Sequence, residues 1–183
     1  MKTTPQLRRS PILAGCFIGL LLTLGGCATP ASHEAMVPVS FQVAKQHPKS
    51  IAVVVAGGTE TSAAGKSQIG DGELKQALVK AIEQTKTFSQ VVEGKSGDYI
   101  LNVNIFNVVQ PSFGFSFTVQ MEMGWTLTRA DTGATVWQES IKSEHTATTS
   151  DAFAGVTRLK LANEGAVRNN VAQGLTKLSA LSL

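Results

Sequence analysis

Cysteine is scarce in this chain of 183 residues, and its position limits what the protein can contain. Only two cysteines occur, Cys16 and Cys27, and both lie near the N-terminus. Residues 28–183 therefore form no internal disulfide and no cysteine-based metal site. The stability of that part of the chain must come from the packing of side chains.

A nucleotide-binding P-loop is also missing, although Gly65-Lys66-Ser67 resembles the end of one. A P-loop needs a second glycine five positions before Gly65, so that successive amides surround a phosphate. That position is Glu60, whose carboxylate would repel phosphate, and the nearest upstream glycine is Gly58. We therefore interpret this segment as a flexible loop.

Recognisable catalytic constellations are absent as well. His33, His47 and His145 are scattered and lack the spacing of a metal site, so we expect them to be exposed to solvent. Serine, histidine and aspartate occur without a hydrolase signature such as Gly-x-Ser-x-Gly. The sequence therefore predicts a protein that is not an enzyme and that holds no metal or dissociable cofactor.

What the chain does have at its N-terminus is a secretory signal. It begins with three basic residues, Lys2, Arg8 and Arg9, and no acidic one, and residues 11–26 are almost wholly apolar or small. This run is shorter than the roughly 20 apolar residues of a membrane-spanning helix. A basic region, a short apolar region and a small-residue exit are typical of a signal peptide, here residues 1–26.

The end of the apolar run resembles the lipobox of bacterial lipoproteins. Leu24 precedes two small residues, Gly25 and Gly26, and then Cys27. In that family a thioether joins the cysteine sulfur to a diacylglyceryl group, and the signal is cut before the cysteine. The new amine is then usually acylated. The resemblance implies a covalent lipid at Cys27 and recognition of the three preceding residues by the signal peptidase. A chance cysteine at the end of an uncleaved helix is the alternative.

A second candidate lipobox ends at Cys16, after Leu13, Ala14 and Gly15. Only three residues separate this motif from Arg9, so no apolar region precedes it. We therefore interpret Cys16 as an ordinary apolar residue of the signal.

The resemblance to lipoproteins also implies a location. In those proteins an aspartate after the cysteine favours retention in the inner membrane, whereas this chain has Ala28. We therefore expect an anchor in the outer membrane, with the domain facing the periplasm and the inner membrane as the less favoured site.

The net charge of +3 belongs to the signal peptide. That segment holds three of the 16 basic residues and none of the 13 acidic ones, so 13 of each sign remain after its removal. A formally neutral domain gives no reason to expect binding to nucleic acid.

The remaining chain predicts a tether, residues 27–50, followed by one domain, residues 51–183. Residues 28–36 are small and polar, which is typical of a flexible tether. The apolar alternation around Pro38 predicts either a short edge strand or an extended segment lying on the domain.

The domain begins with alternating strand and helix signals. Residues 51–56 form a continuous apolar run typical of a buried strand. Residues 72–88 predict an amphipathic helix with Asp71 as its N-cap, and strands are expected at 91–92 and 99–109. The apolar stripe of the helix repeats every fourth residue, at Leu74, Leu78 and Ile82.

The strongest periodic signal starts at Phe113. Every odd position from there to Leu127 is apolar, and every even position is small or polar. This alternation predicts a long strand buried on one side, and the turn at 131–133 makes residues 113–143 an antiparallel hairpin. With a C-terminal helix at about 158–181, the order predicts an α+β two-layer sandwich. In it, two helices cover one face of a mixed or antiparallel sheet.

Phe113, Phe115 and Phe117 allow more than one interpretation. The alternation favours a place in the core facing the helices. In the alternative, the start of the strand projects beyond the helices and forms a surface for a partner or an acyl chain. A membrane-inserting hairpin is a third interpretation, and it would require oligomerisation.

Several segments together resemble a known group of proteins. They are the strand at 51–56, the helix ending near Phe88, the segment Gly97–Leu101 and the hairpin at 127–137. The chain resembles small bacterial envelope lipoproteins whose domain is similar to the N-terminal domain of TolB. That group includes curli-secretion and penicillin-binding-protein-activator lipoproteins. The resemblance covers most of residues 50–181, implies an adaptor or assembly role, and supplies no catalytic residues.

The sequence thus predicts a non-enzymatic lipoprotein that acts as an accessory or interaction module in cell-envelope assembly or maintenance. We expect contact with the membrane through the lipid anchor and with an envelope protein as partner. The alternative is a binding module for a lipid or other apolar ligand, held between the sheet and the helices.

Overall fold

A five-stranded mixed sheet packs against three helices in the computed structural model, which describes residues 27–183. The predicted signal peptide, including Leu24, Gly25 and Gly26, lies outside the described residues. In chain order the elements are α1 (His33–Met36), β1 (His47–Ala56), α2 (Asp71–Thr85), β2 (Phe88–Val92), β3 (Tyr99–Val109), β4 (Phe117–Arg129), β5 (Thr135–Ala147) and α3 (Gly155–Ala180).

The strands lie in the order β2-β1-β3-β4-β5. β1 is parallel to both β2 and β3, whereas β3, β4 and β5 pair antiparallel to their neighbours. α2 packs on β1 and β2, α3 packs on β4 and β5, and α1 contacts both of these helices. The predicted α+β sandwich with one covered sheet face is therefore confirmed.

Strand β4 is the centre of the core. Its odd positions from Phe117 to Leu127 are buried, as the alternation predicts. Trp125 is fully buried beneath α3, and its indole N–H donates to Oδ1 of Asn170 at 3.0 Å. The side-chain Nδ2 of Asn170 in turn donates to the backbone oxygen of Ile141 at 2.8 Å. One buried asparagine therefore joins α3 to both strands of the hairpin.

Two glycines of α3 allow this close packing. A Cβ atom at Gly174 would lie 2.3 Å from the Trp125 ring, and one at Gly165 would lie 2.1 Å from the His145 ring. Glycine weakens a helix interior by about 1 kcal/mol relative to alanine. Here that cost is offset by the contact of two aromatic rings with the helix backbone.

The boundaries of α2 differ from the prediction. The helix ends at Thr85 because Lys86 adopts a left-handed conformation with φ 52°, and Phe88 already belongs to β2. The predicted helix to residue 88 is therefore wrong at its end. Gly70 is the N-cap instead of Asp71, whose Oδ1 accepts a hydrogen bond from the Gly58 amide at 2.7 Å.

The segment predicted to be a flexible tether packs on the domain. Ala31 and Met36 are fully buried between the helices. The Ser32 amide donates to the buried carboxylate of Glu164 at 2.9 Å, and the His33 amide donates to Glu73 at 2.8 Å. The prediction of a flexible tether at residues 28–36 is therefore wrong, because composition alone did not show the partners that these residues find.

The segment between α1 and β1 contains no strand. Val37 and Phe41 pack against the core from an extended chain, while Val39 stays exposed. Of the two interpretations of this alternation, the extended segment on the domain is confirmed. β1 itself begins at His47, which pairs with Phe88 of β2 and is buried.

We expect Gly174→Ala to lower the free energy of unfolding by about 1–3 kcal/mol, because the new Cβ atom collides with the Trp125 ring. Gly72→Ala in α2 is the matched control, since no atom lies within 4 Å of its Cβ position. That variant should gain up to about 1 kcal/mol from helix propensity. Urea unfolding of both proteins measures the difference, and a stabilising Gly174→Ala would contradict this account of the packing.

Candidate functional site

Three loops converge at one end of the domain. They are residues 57–70 after β1, residues 110–116 between β3 and β4, and residues 148–154 between β5 and α3. The pairing of β1 with β3, of β3 with β4 and of β4 with β5 places these connections at the same edge of the sheet. We call this edge the loop end.

The loop end carries three exposed phenylalanines. Phe113 and Phe115 are 88% and 87% exposed, and Phe153 is 95% exposed. Phe117 is only 7% exposed, because β4 begins there and turns its ring towards the helices. The core interpretation is therefore wrong for Phe113 and Phe115, and the surface interpretation is wrong for Phe117.

The alternation predicted burial wrongly at Phe113 and Phe115 because strand β4 does not extend to these residues. Gly114 has φ 140°, a backbone conformation that side-chain-bearing residues rarely adopt, and residues 110–116 leave the sheet. The period of two in the sequence continues through these residues, but without a neighbouring strand it does not determine which way the rings face.

Arg158 in the first turns of α3 holds the two phenylalanine-bearing loops together. Its Nη2 donates to the backbone oxygen of Gly114 at 3.2 Å, and its Nη1 donates to the oxygens of Ala152 and Phe153. The guanidinium carbon lies 5.2 Å from the centre of the Phe117 ring, within reach of a cation–π contact. This arginine is buried, and its two Nη groups fix the loops, while its Nε has no hydrogen-bond partner.

Cys27 lies at the same end. The Ala28 amide donates to the oxygen of Ala63 at 3.2 Å, and the Ala31 amide donates to that of Gln68 at 3.1 Å. The chain therefore runs along loop 57–70 directly after Cys27, which is exposed and free.

Loop 57–70 is in turn connected to the loop that carries Phe113. Lys66 Nζ donates to Ser112 Oγ at 3.1 Å, and Gln110 Nε2 donates to the oxygen of Ser67 at 3.0 Å. The fully buried Asn163 of α3 lies between them, since its Nδ2 donates to the same Ser67 oxygen at 2.8 Å. Cys27 and the phenylalanines thus belong to one connected set of loops.

Gly65-Lys66-Ser67 lies in this loop and not at a phosphate cradle. The Gly65 amide donates to Ser62, and α2 begins only at Asp71. The loop interpretation of this motif is therefore confirmed.

The histidines remain separate, and within residues 27–183 no group of three metal-ligating side chains comes together. His33 contacts Glu73 at 3.0 Å, whereas His47 is buried with its Nε2 3.2 Å from the Leu178 oxygen. The expected exposure is therefore wrong for His47, and His33 and His145 are half-buried. Burial lowers the pKa of His145, with a further contribution from the charge of Arg168.

One carboxylate at the loop end has a shifted pKa. The amide and the hydroxyl of Thr148 both donate to Asp151, at 2.7 and 2.8 Å, and they hold its pKa below the ordinary value. The carboxylate is folded back onto its own turn, so it acts as a turn-forming group.

The space between sheet and helices is filled by side chains. Tyr99, Trp125, Leu127 and Leu175 are all buried there. A surface depression of about 800 Å³ borders β3, β4, β5 and α3, and its lining mixes polar residues, among them Asn107, Gln120, Glu122, Lys142, Asn169 and Gln173, with Val109, Met121 and Ala172. An apolar ligand held between the two layers therefore stays a prediction.

Sequence reasoning missed Phe153 and Arg158. Phe153 is a single aromatic residue in a loop of small and polar residues, and that isolation was the available signal. No sequence signal marked Arg158, because its role depends on contacts with Gly114 and Phe153, which lie 44 and 5 residues away in the sequence.

No helix within residues 27–183 combines the length and the apolar character needed to cross a bilayer.

The fold occurs in other proteins. No family model and no curated protein matches the chain. Among solved structures, the chain is similar to protein XCC0632 of Xanthomonas campestris, assigned to the family DUF330. The identity is 14%, the TM-score is 0.59, and the match covers 77% of this chain and 90% of that one.

Two further similarities are weaker. The hypothetical protein CT253 of Chlamydia trachomatis is 9% identical with a TM-score of 0.51, over 74% of this chain and 96% of that one. Uncharacterized lipoprotein B of Nitrosomonas europaea is 15% identical with a TM-score of 0.49, over 78% and 89%. The likeness to XCC0632 and CT253 establishes a shared fold, while the resemblance to the TolB-like group stays a prediction.

We expect Arg158→Met to release the two phenylalanine-bearing loops, because three backbone oxygens lose their donor. Amide exchange at residues 113–116 and 152–157 should become faster, and unfolding should be about 1–3 kcal/mol easier. Lys177→Met on the same helix is the control, since Lys177 pairs with Glu139 at the surface, away from the loop end. Equal exchange in the two variants would contradict the role of Arg158.

We expect His145→Gln to flatten the pH dependence of stability. The folded protein disfavours the charged form of His145. As the pH falls, the unfolded chain is therefore protonated at this residue before the folded protein is. The wild-type free energy of unfolding should therefore fall as the pH drops below about 6.5, and the variant should lose less. Thermal unfolding between about pH 7 and pH 5 measures this, and parallel profiles would refute the expectation.

Proposed function

We propose that this protein is a lipid-anchored, non-enzymatic lipoprotein of the bacterial cell envelope. Its role is that of an accessory or interaction module in envelope assembly or maintenance, with an envelope protein as partner. The observation that carries the proposal is Cys27, which follows the lipobox residues Leu24, Gly25 and Gly26 and is exposed where the described chain begins. An exposed thiol at this position is accessible to lipid transfer.

The structural use of the buried polar groups supports a non-enzymatic role. Arg158, Asn163 and Asn170 are buried, and each is hydrogen bonded to backbone oxygens of neighbouring elements. The buried Glu164 accepts the Ser32 amide and so holds the N-terminal segment. These groups, which would be the obvious candidates for chemistry, serve to position loops and strands.

The outer membrane is the proposed location, with the domain on the periplasmic side. The support is Ala28, which stands where lipoproteins of this kind carry aspartate when they stay in the inner membrane. The Ala28 amide bonds to loop 57–70, so this contact does not depend on which side chain residue 28 carries.

Cys27→Ser should abolish incorporation of labelled palmitate. Cys16→Ser is the matched control, since the signal retains its apolar run and the lipobox at Cys27 is intact. That variant should be labelled like the wild type. Incorporation of the label by Cys27→Ser, or loss of label only in Cys16→Ser, would refute the proposed anchor.

Ala28→Asp should move the lipidated protein from the outer to the inner membrane fraction on a density gradient. The backbone hydrogen bond of residue 28 to Ala63 does not depend on the side chain, so the domain should unfold at the wild-type temperature. An unchanged distribution would argue against the proposed sorting.

A further inference from the structure

The loop end combines two features that no other described part of the chain combines. It holds the start of the proposed lipid anchor, and it exposes three phenylalanines almost completely. We propose that Phe113, Phe115 and Phe153 insert into the lipid leaflet that holds the acyl chains of Cys27. This inference rests on the proposed lipidation and extends it from the anchor to the folded domain.

The phenylalanines are presented on loops that are already fixed. Arg158 bonds to the residue between Phe113 and Phe115 and to Phe153 itself, so a single guanidinium sets the position of all three. Apolar side chains held out into water are typical of surfaces that contact a protein or a membrane. Because the loops are held in advance, little ordering is required when the rings leave water.

The position of Cys27 favours a membrane over a protein. Ala28 and Ala31 are hydrogen bonded to loop 57–70, so little free chain separates the acyl group from the domain. Lys66 and Ser112 then join that loop to the one carrying Phe113. A lipid attached here holds the loop end towards the bilayer, and exposed rings at that end meet the leaflet first.

The geometry of the apolar groups suits shallow insertion. Phe113, Phe115 and Phe153 lie at loop tips, and Val109 and Val156, which are also exposed, lie on the adjoining ends of β3 and α3. Proteins that lie on one leaflet bury such residues about 5–10 Å into the boundary between headgroups and acyl chains. The rings would thus fix the orientation of a domain that the lipid already holds.

The charge of the loop end indicates which lipids are needed. The three loops contain Glu60, Lys66 and Asp151, and the Arg158 charge is buried beneath them. With no excess of basic groups, attraction to anionic headgroups is not required. We therefore expect insertion into vesicles of zwitterionic phosphatidylcholine, with little dependence on salt.

The opposite end of the domain provides a comparison. Its loops, residues 93–98 and 130–134, are polar and charged, and no large apolar side chain is exposed there in the described chain. Lys95 is an exposed residue of that end. A probe at position 95 should therefore stay in water when a probe at the loop end enters lipid.

The test uses the full lipidated protein in phosphatidylcholine vesicles with brominated acyl chains, which quench nearby tryptophan. In Phe115→Trp, the added fluorescence should shift to the blue and be quenched at least about twofold more than in Lys95→Trp, since insertion brings the ring to the acyl boundary. The native Trp125 and Trp137 give the same background in both proteins. Adding Phe113→Ser and Phe153→Ser to Phe115→Trp should reduce the quenching while the unfolding temperature stays the same.

The outcomes separate the inference from the proposed function. A protein that co-floats with vesicles through its lipid but shows equal quenching at positions 115 and 95 would overturn the insertion and leave the anchor intact. A photo-crosslink from position 115 to a protein, instead of to lipid, would likewise overturn it and assign the loop end to a protein partner. A protein without a covalent lipid would overturn the proposed function itself.

Discussion

The contact between Trp125 and helix α3 is the interaction on which the rest of the domain depends. The indole lies fully buried against Gly174, and its N–H is bonded to Asn170. Because this contact fixes α3 along β4 and β5, it also determines where the first turn of the helix lies, and Arg158 is in that turn. The loops at the edge of the sheet are thus positioned from the core outwards. A structural change near Trp125 would therefore be transmitted through helix α3 to the exposed phenylalanines.

Buried polar groups in this protein perform one common task. Asn170 joins the helix to the hairpin, Asn163 holds the loop at Ser67, and Arg158 holds the loops at Gly114 and Phe153. A buried polar group costs free energy unless it is hydrogen bonded, so each of these residues is tied to specific backbone oxygens. Such groups specify one arrangement of loops without a disulfide, which the chain after Cys27 cannot form. The result is an ordered loop end in a domain whose stability comes from packing.

The proposed lipid and the loop end would act together to hold and orient the domain at the membrane. An acylated cysteine on a long flexible tether would leave the orientation of its domain open. Here the residues that directly follow Cys27 pack on the domain. Ala31 and Met36 are buried in the core, and the Ser32 amide is bonded to Glu164. The covalent lipid would then supply the affinity for the membrane, and the apolar loop tips would supply the orientation. The remaining surfaces would face away from the leaflet and be free for an envelope partner.

The sequence by itself determined the fold class, the long buried strand and the candidate anchor, because each depends on local order. Alternation over β4 identifies its buried side, and charge, length and small residues predict a signal peptide and a lipid anchor at Cys27. Tertiary structure alone decided the rest. Phe113 and Phe117 share one periodic pattern, yet only Phe117 has a strand beside it and a helix above it. Residues 28–36 look like a tether, yet their partners Glu73 and Glu164 are distant in sequence. A periodic pattern specifies which side chains share a face, whereas burial requires a neighbour, and neighbours are set by how the chain folds back on itself.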